Sequence, residues 1–134
     1  MFFPNRTKFR KTRKGRIKGF ERKTMNLKFG YFGLKALENG RITSKQIETV
    51  RQAIRRKIRP NGKVWVRLFA HLSVTGKSTE ARMGKGKGNI SYWSCPVKKG
   101  QILYEVSGIS KNIALKSLRI GGLKLPIAVK IVIF

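Results

Sequence analysis

The chain has 134 residues and carries 32 Lys and Arg against five Glu and no Asp, a net charge of +27. A free soluble domain of this length usually carries a net charge of about 2–8 in magnitude, so this excess indicates a polyanionic partner, above all nucleic acid. No apolar run reaches the roughly 18 residues of a membrane helix, and one His and one Cys exclude a zinc site and an internal disulfide.

The first 24 residues form a basic arm. Its cationic residues are Arg6, Lys8, Arg10, Lys11, Arg13, Lys14, Arg16 and Lys18, followed by Arg22 and Lys23, against a single Glu21. Apolar residues are too few for a closed core face, so we expect an arm that becomes ordered against phosphates. A solvated, disordered tail is the plainer alternative. A transit peptide is another, although no Ser-rich stretch or clear cleavage site is present.

A strand and then a helix are predicted next. Residues 27–37 begin with apolar side chains that alternate with Lys and Gly, which is typical of a strand, and Asn39-Gly40 marks a turn. Thr43 and Gln46 have capping-box spacing. They are followed by a stripe of apolar residues at helical spacing, namely Ile47, Val50, Ile54 and Ile58, and Pro60-Asn61-Gly62 ends the helix.

The polar side of this helix is strongly basic. Arg51, Arg55 and Arg56 lie mainly off the apolar stripe. We therefore expect one side of the helix to pack and another to meet nucleic-acid phosphates, with a solvated charged face as the alternative.

A long Gly/Lys-rich connection separates the next two predicted strands, at 63–69 and 90–95. It spans residues 73–89 and contains Arg82, Met83, Gly84, Lys85, Gly86, Lys87 and Gly88. Glycine at every second position allows the backbone to approach a nucleic acid closely, while the lysines supply charge. The spacing fits neither common nucleotide-binding glycine motif. We expect a projecting loop, and a flexible linker is the alternative.

The remainder predicts a strand at 101–106, a helix from Ser110 to Ile120 stopped by Gly121-Gly122, and a final strand at 125–134. The last strand has apolar residues on both faces, which suggests burial on both sides. The fold class is therefore α+β. We expect a small, mostly antiparallel sheet packed with two helices, a basic N-terminal arm and a long Gly/Lys loop, in one domain spanning residues 1–134.

Catalytic chemistry has little support in these residues. The five carboxylates are scattered along the chain. Cys95 lies in an apolar stretch and is expected to be a buried, inert thiol, and His71 is expected at a strand end. We predict no catalytic residue, no metal site and no cofactor. Membrane binding is disfavoured because the charge is spread along the whole chain.

The chain resembles the ribosomal protein L-sixteen family of the large ribosomal subunit, in its bacterial or organellar form. The matching segments are residues 4–11, 29–36, 42–48, 62–67, 82–89 together with Tyr92-Trp93, and 103–105. They occur in order and cover nearly the whole chain. The second helix departs from the family pattern because it lacks acidic residues and an alanine-rich end, and the short tail of many relatives is missing after Phe134.

The resemblance implies a structural, non-enzymatic role beside the peptidyl transferase centre. The expected partners are large-subunit rRNA, tRNA and neighbouring large-subunit ribosomal proteins. The arm and helix arginines would bind rRNA, and Arg82 to Gly88 would reach toward tRNA at the aminoacyl site. Arg82 also matches a position that is hydroxylated in some bacterial members.

Because the family pattern begins almost at residue 1, we expect a bacterial protein, a protein made inside an organelle, or the processed form of an imported one. The richness in Lys, Ile and Phe suggests an A/T-rich genome. It therefore favours a mitochondrial ribosome and an organelle-encoded protein. A plastid and then the bacterial cytoplasm are the alternatives. Two other functions remain open at this stage: a free nucleic-acid-binding or chaperone protein, and an RNA-processing enzyme.

Overall fold

The computed structural model describes residues 2–134. Its elements, in chain order, are β1 (Phe32–Ala36), β2 (Gly40–Thr43), α1 (Ser44–Ile58), β3 (Lys63–Val66), β4 (Leu72–Gly76), β5 (Asn89–Val97), β6 (Ile102–Ser107), α2 (Lys111–Gly122) and β7 (Val129–Ile133). The strands form two sheets, in the orders β3-β6-β1-β7 and β2-β5-β4, and every strand pair is antiparallel. The predicted α+β class is confirmed, with two small sheets in place of one.

Helix α1 begins as its sequence predicts. The hydroxyl of Thr43 accepts a hydrogen bond from the backbone N–H of Gln46 at 3.2 Å, and the Gln46 side chain accepts one from the N–H of Thr43 at 2.9 Å. This reciprocal capping box satisfies two backbone donors that the first helical turn leaves unpaired, and such caps contribute about 1 kcal/mol. The predicted helix start is confirmed.

The apolar stripe of α1 lies in a core that joins both sheets. Its members, Ile47, Val50, Ile54 and Ile58, are buried and belong to one cluster with residues of β1, β2, β5, β6 and α2. Tyr104 of β6 crosses this core and donates its hydroxyl to the backbone oxygen of Ile47 at 3.1 Å. The basic side of the helix is consequently turned away from the sheets.

The second helix ends two residues later than predicted. Gly121 and Gly122 form the last residues of α2, and Ser110 occupies the N-cap position without a side-chain cap hydrogen bond. A Cβ on Gly121 would lie 2.8 Å from Cγ1 of Ile54. The glycine is therefore explained by the close crossing of α1 and α2 and not by helix termination.

Two short strands escape the sequence prediction. Strand β2 occupies the residues after the predicted turn, and β4 occupies the start of the predicted long connection. In β4, Ser73 is buried opposite Trp93 and Val74 lies opposite Tyr92. The connection therefore spans residues 77–88, and the predicted range of 73–89 was too long. Residues 73–76 form a strand because pairing with β5 overrides the weak strand propensity of Ser and Gly.

The ends of the four-stranded sheet also differ from expectation. Residues 27–31 precede β1 as an irregular segment, and strand β7 lies at the sheet edge beside β1 alone. Ile133 is 47 % exposed and Phe134 is more exposed still. The prediction that the final strand is buried on both sides is wrong, because no residue of β7 is buried: Lys130 and Ile133 are exposed and the other three are half-buried.

Candidate nucleic-acid interface

The basic arm lies on the folded body through backbone contacts. The N–H of Ala70 donates to the oxygen of Phe2 at 3.0 Å, and Arg41 donates to the oxygens of Lys14 and Gly15 at 3.0 and 2.6 Å. The predicted phosphate-binding residues Arg6, Lys8, Arg10, Lys11, Arg13, Lys14, Arg16 and Lys18 are all exposed. The arm is thus anchored by its main chain while its charges face outward.

The arm and the Gly/Lys loop are joined by two lysines. The Nζ of Lys11 donates to the backbone oxygen of Lys87 at 2.9 Å, and the Nζ of Lys87 donates to the backbone oxygen of Thr12 at 2.6 Å. The hydroxyls of Thr12 and Ser73 lie 3.4 Å apart beside this crossing. Two segments about 75 residues apart in sequence therefore form one basic surface.

The tip of the loop has a run of left-handed backbone. Gly84, Lys85 and Gly86 have φ values of +90°, +55° and +82°. Lys85 is the non-glycine residue in this run, and such a conformation costs a residue with a Cβ about 1–2 kcal/mol. The Nζ of Lys77 donates to the oxygen of Gly84 at 2.6 Å, which holds the turn. Met83 is fully exposed at the tip.

Gly88 closes the base of the loop. A Cβ at this position would lie 2.3 Å from the backbone oxygen of Gly76, on the neighbouring strand. The sequence suggested that this glycine serves close approach to nucleic acid, whereas its observed neighbour is the backbone of its own chain. By contrast, Cβ atoms on Gly84 and Gly86 would meet nothing within 4 Å.

The basic side of α1 forms a second cationic area. Arg51, Gln52, Arg55, Arg56 and Arg59 line an open depression of about 380 Å³. Sequence reasoning missed Arg59, whose position directly after the last turn of α1 was the available signal. No hydrogen bond joins these arginines to the arm or loop within residues 2–134.

Arg51 is partly engaged within the helix. Its guanidinium donates to the two carboxylate oxygens of Glu48 at 3.0 and 2.5 Å. The hydrogen bond to Arg51 lowers the pKa of Glu48, and the same contact raises the pKa of Arg51. Arg55 and Arg56 are exposed and have no acidic partner in the described chain, so they contribute the more accessible positive charge.

Glu105 is the buried acidic residue of this basic protein. One carboxylate oxygen accepts hydrogen bonds from the backbone N–H groups of Lys28, Phe29 and Gly30 at 3.0, 2.7 and 2.8 Å. The other accepts from Nη1 of Arg67 at 2.6 Å. Burial opposes ionisation, but these four donors outweigh it and lower the pKa of Glu105. The carboxylate is therefore a structural anchor for residues 28–30.

The side chains with catalytic potential are not brought together. Cys95 is buried, as predicted, and burial raises the pKa of its thiol. His71 directly precedes β4, is exposed, and has Nδ1 3.3 Å from the oxygen of Phe69. Within residues 2–134 no three His, Cys, Asp or Glu residues could hold a metal ion, and none of the described helices is long and apolar enough to span a membrane. The exposed cations of the arm, the loop and α1, and not these residues, form the candidate site.

Known proteins similar to this chain come from one family. Residues 4–132 match the family model described as "Ribosomal protein L16p/L10e". A relative from Chelativorans sp. (strain BNC1) is 50 % identical over 132 residues, which cover 98 % of this chain and 96 % of the relative. One from Cereibacter sphaeroides (strain ATCC 17029 / ATH 2.4.9) is 50 % identical over 133 residues, covering 99 % and 97 % of the two chains.

A third relative, from Maricaulis maris (strain MCS10), is 49 % identical over 132 residues, which cover 98 % of this chain and 96 % of the relative. All three relatives are named "Large ribosomal subunit protein uL16". The match extends over nearly the whole length on both sides, and it includes the arm, the Gly/Lys loop and both helices. The chain belongs to the ribosomal protein L16p/L10e family.

Proposed function

We propose that this chain binds large-subunit rRNA through its arm and the basic side of α1, and that its Gly/Lys loop helps position tRNA at the aminoacyl site near the peptidyl transferase centre. As a member of its family it is a structural constituent of the large ribosomal subunit and not an enzyme. The observation that carries the finer proposal is the joining of arm and loop at Lys11 and Lys87.

The arm is the principal rRNA contact in this proposal. Its backbone is held by the folded body while its eight named cations are exposed, so little of their charge is consumed within the protein. Neutralising phosphates with such side chains releases condensed counterions, which makes binding strong at low salt and weaker at high salt. Arg55, Arg56 and Arg59 supply a second contact of the same kind.

The loop is the proposed tRNA contact. Arg82, Met83 and Lys85 are exposed at its tip, and Lys85 makes no side-chain hydrogen bond within residues 2–134. The left-handed run of Gly84, Lys85 and Gly86 fixes the direction of the tip. The side chain of Arg82 is exposed and therefore open to a modifying enzyme, and it matches a position that is hydroxylated in some bacterial members of the family.

Lys87 has a different role from Lys85 in this account. Its ammonium donates to the arm at Thr12, so Lys87 positions the loop. A substitution of Lys85 therefore tests tRNA contact without disturbing the link between the loop and the arm. Neighbouring large-subunit proteins are further expected partners, and the exposed side chain of Leu123, directly after α2, is available to them.

The test compares large subunits assembled with three variants. Lys85→Gln is expected to leave subunit yield unchanged and to weaken aminoacyl-tRNA binding. Replacing Arg10, Arg13 and Lys14 by Gln is expected to lower subunit yield, while Lys11 and Lys87 remain intact. Lys124→Gln removes an exposed charge outside both regions and serves as the control. Equal effects of all three variants, or wild-type tRNA binding by Lys85→Gln, would refute the division between arm and loop.

The compartment is inferred to be the bacterial cytoplasm. The relatives described above come from bacteria, which fits that alternative better than the mitochondrial ribosome predicted from residue usage. The comparisons do not support the mitochondrial expectation. Mapping the gene to a bacterial chromosome or to an organellar genome tests the assignment, and an organellar location would overturn it.

A further inference from the structure

Residues 27–31 present aromatic side chains to solvent immediately before β1. Phe29 is 58 % exposed and Tyr31 is 65 % exposed, and the neighbouring Phe134 is 88 % exposed. Exposed aromatic side chains that cluster in this way commonly mark a binding surface. Neither the arm, the loop nor the basic side of α1 includes these residues.

The segment that carries these rings is rigidly held. Three consecutive N–H groups, those of Lys28, Phe29 and Gly30, donate to one carboxylate oxygen of Glu105. A Cβ on Gly30 would lie 2.6 Å from the backbone oxygen of Val106, so the segment also lies directly on β6. The exposed rings are therefore placed by a buried anchor and are not part of a loose loop.

The rings border a shared depression. Phe29 stacks on Trp65 with ring centroids 6.2 Å apart and an interplanar angle of 17°, and more than half of its surface stays accessible to a ligand. Tyr31 meets Phe134 edge to face at 6.4 Å. An open depression of about 340 Å³ is lined by Leu27, Lys28, Phe29, Gly30, Tyr31 and Phe134.

We propose that this aromatic site, formed by Phe29 and Tyr31 with Lys28 at its rim, binds an unpaired RNA nucleotide. The base stacks on the aromatic face and the Lys28 ammonium meets the adjoining phosphate. RNA is favoured over a protein partner because the chain carries a net charge of +27 and the lining includes a lysine and no acidic side chain. The inference rests on the proposed rRNA binding and adds a base-stacking site to its phosphate contacts.

The first test separates base stacking from charge. Binding of the full chain is measured to a single-stranded RNA and to an abasic RNA of the same length and charge. The double variant Phe29→Leu/Tyr31→Leu is expected to bind the base-containing RNA about 5- to 30-fold more weakly and the abasic RNA as the wild type does. Ile113→Ser removes an exposed apolar side chain of α2, 45 % exposed, and is the control, expected to change neither affinity.

The possible outcomes distinguish the two proposals. Unchanged binding by the double variant, or an equal loss on both RNAs, overturns the stacking site. The aromatic site would then be assigned to a protein partner. A wild-type chain that binds neither RNA overturns rRNA binding, and this inference with it. A wild-type chain that prefers the base-containing RNA, with the preference lost in the double variant, supports both.

A second measurement needs no variant and so does not depend on variant folding. Short-wave ultraviolet irradiation joins stacked bases to aromatic side chains in intact large subunits. Trypsin cleaves after Lys28 and Lys35 and releases residues 29–35 as one peptide. A nucleotide adduct on Phe29 or Tyr31 is the expected result, and an unmodified peptide beside adducts on other aromatic residues of the chain contradicts the proposal.

Discussion

Lys11 and Lys87 are joined by a hydrogen bond from the Nζ of Lys11 to the backbone oxygen of Lys87, with an N···O distance of 2.9 Å. The return contact, from Nζ of Lys87 to the oxygen of Thr12, makes the link reciprocal. Two like charges are thus held at one crossing by carbonyl groups and not by acidic partners. The arm and the Gly/Lys loop accordingly form one surface before any RNA is bound.

Removing the Lys87 ammonium should loosen both segments. We expect Lys87→Met to speed amide hydrogen exchange at residues 11–15 and 84–88 several-fold, because an exposed hydrogen bond of this kind contributes about 1 kcal/mol. Lys85→Met removes the same charge from a side chain that has no hydrogen bond in the described chain, and it should leave residues 11–15 unchanged. Equal exchange in the two variants would show that the arm–loop link does not stabilise the free protein.

Loss of the Glu105 charge should be strongly destabilising. Glu105→Gln leaves Arg67, whose side chain is 10 % exposed, without its carboxylate partner, and breaking a buried pair costs about 3–5 kcal/mol. Glu80→Gln is the control because Glu80 is exposed and has no ion pair within residues 2–134, so its effect should stay within about 0.5 kcal/mol. Urea unfolding of both variants measures the difference, and similar midpoints would contradict the anchoring role of Glu105.

The same carboxylate should make stability depend on acid pH. The pKa of Glu105 in the folded chain is lowered from 4.5, so between the two values the unfolded chain binds more protons than the folded one. The stabilising contribution is therefore complete above about pH 4.5 and is lost as the pH falls through the folded pKa. The difference in unfolding free energy between wild type and Glu105→Gln should shrink over this range. A difference that grows on acidification would refute the assignment.

Two glycines at the base of the loop should differ in their sensitivity to substitution by alanine. Gly88→Ala places a methyl group 2.3 Å from the oxygen of Gly76 and should cost about 1–3 kcal/mol, whereas Gly76→Ala places one 3.6 Å from Cβ of Ser91, an ordinary contact. Thermal unfolding and the exchange of amides in β4 and β5 report the effect. Comparable melting temperatures would mean that the strands separate readily at this point.

The thiol of Cys95 should be unreactive in the folded protein. It is buried, and burial raises its pKa, so the thiolate that reacts with disulfide reagents is scarce at neutral pH. Modification by such a reagent should be slow in buffer and rapid in denaturant. Rapid modification of the folded chain would indicate that β5 opens locally.

Local signals in the sequence predicted the elements that depend on local chemistry. The start of α1 was predicted because its capping box and apolar stripe lie within one short segment. Strand β4 was missed because its placement depends on pairing with β5, which follows it by more than ten residues. The helical role of Gly121 was missed because its cause is Ile54, on another helix.

The candidate site shows the same limit. The cationic arm and the Gly/Lys loop were evident from composition, but the exchange of hydrogen bonds between Lys11 and Lys87 joins residues 76 positions apart and has no local signature. The anchoring of residues 28–30 by Glu105 was hidden for the same reason. Residue types predicted the chemistry of binding, whereas long-range contacts determine which charges remain available for it.

Sedimentation of the native protein from its own lysate, before and after a high-salt wash, tests the central claim most directly. A structural constituent of the large subunit should remain with large subunits through the wash, because the arm, α1 and the folded body hold it by many contacts at once. A protein that sediments free of ribosomes, or leaves them at modest salt, would contradict the account.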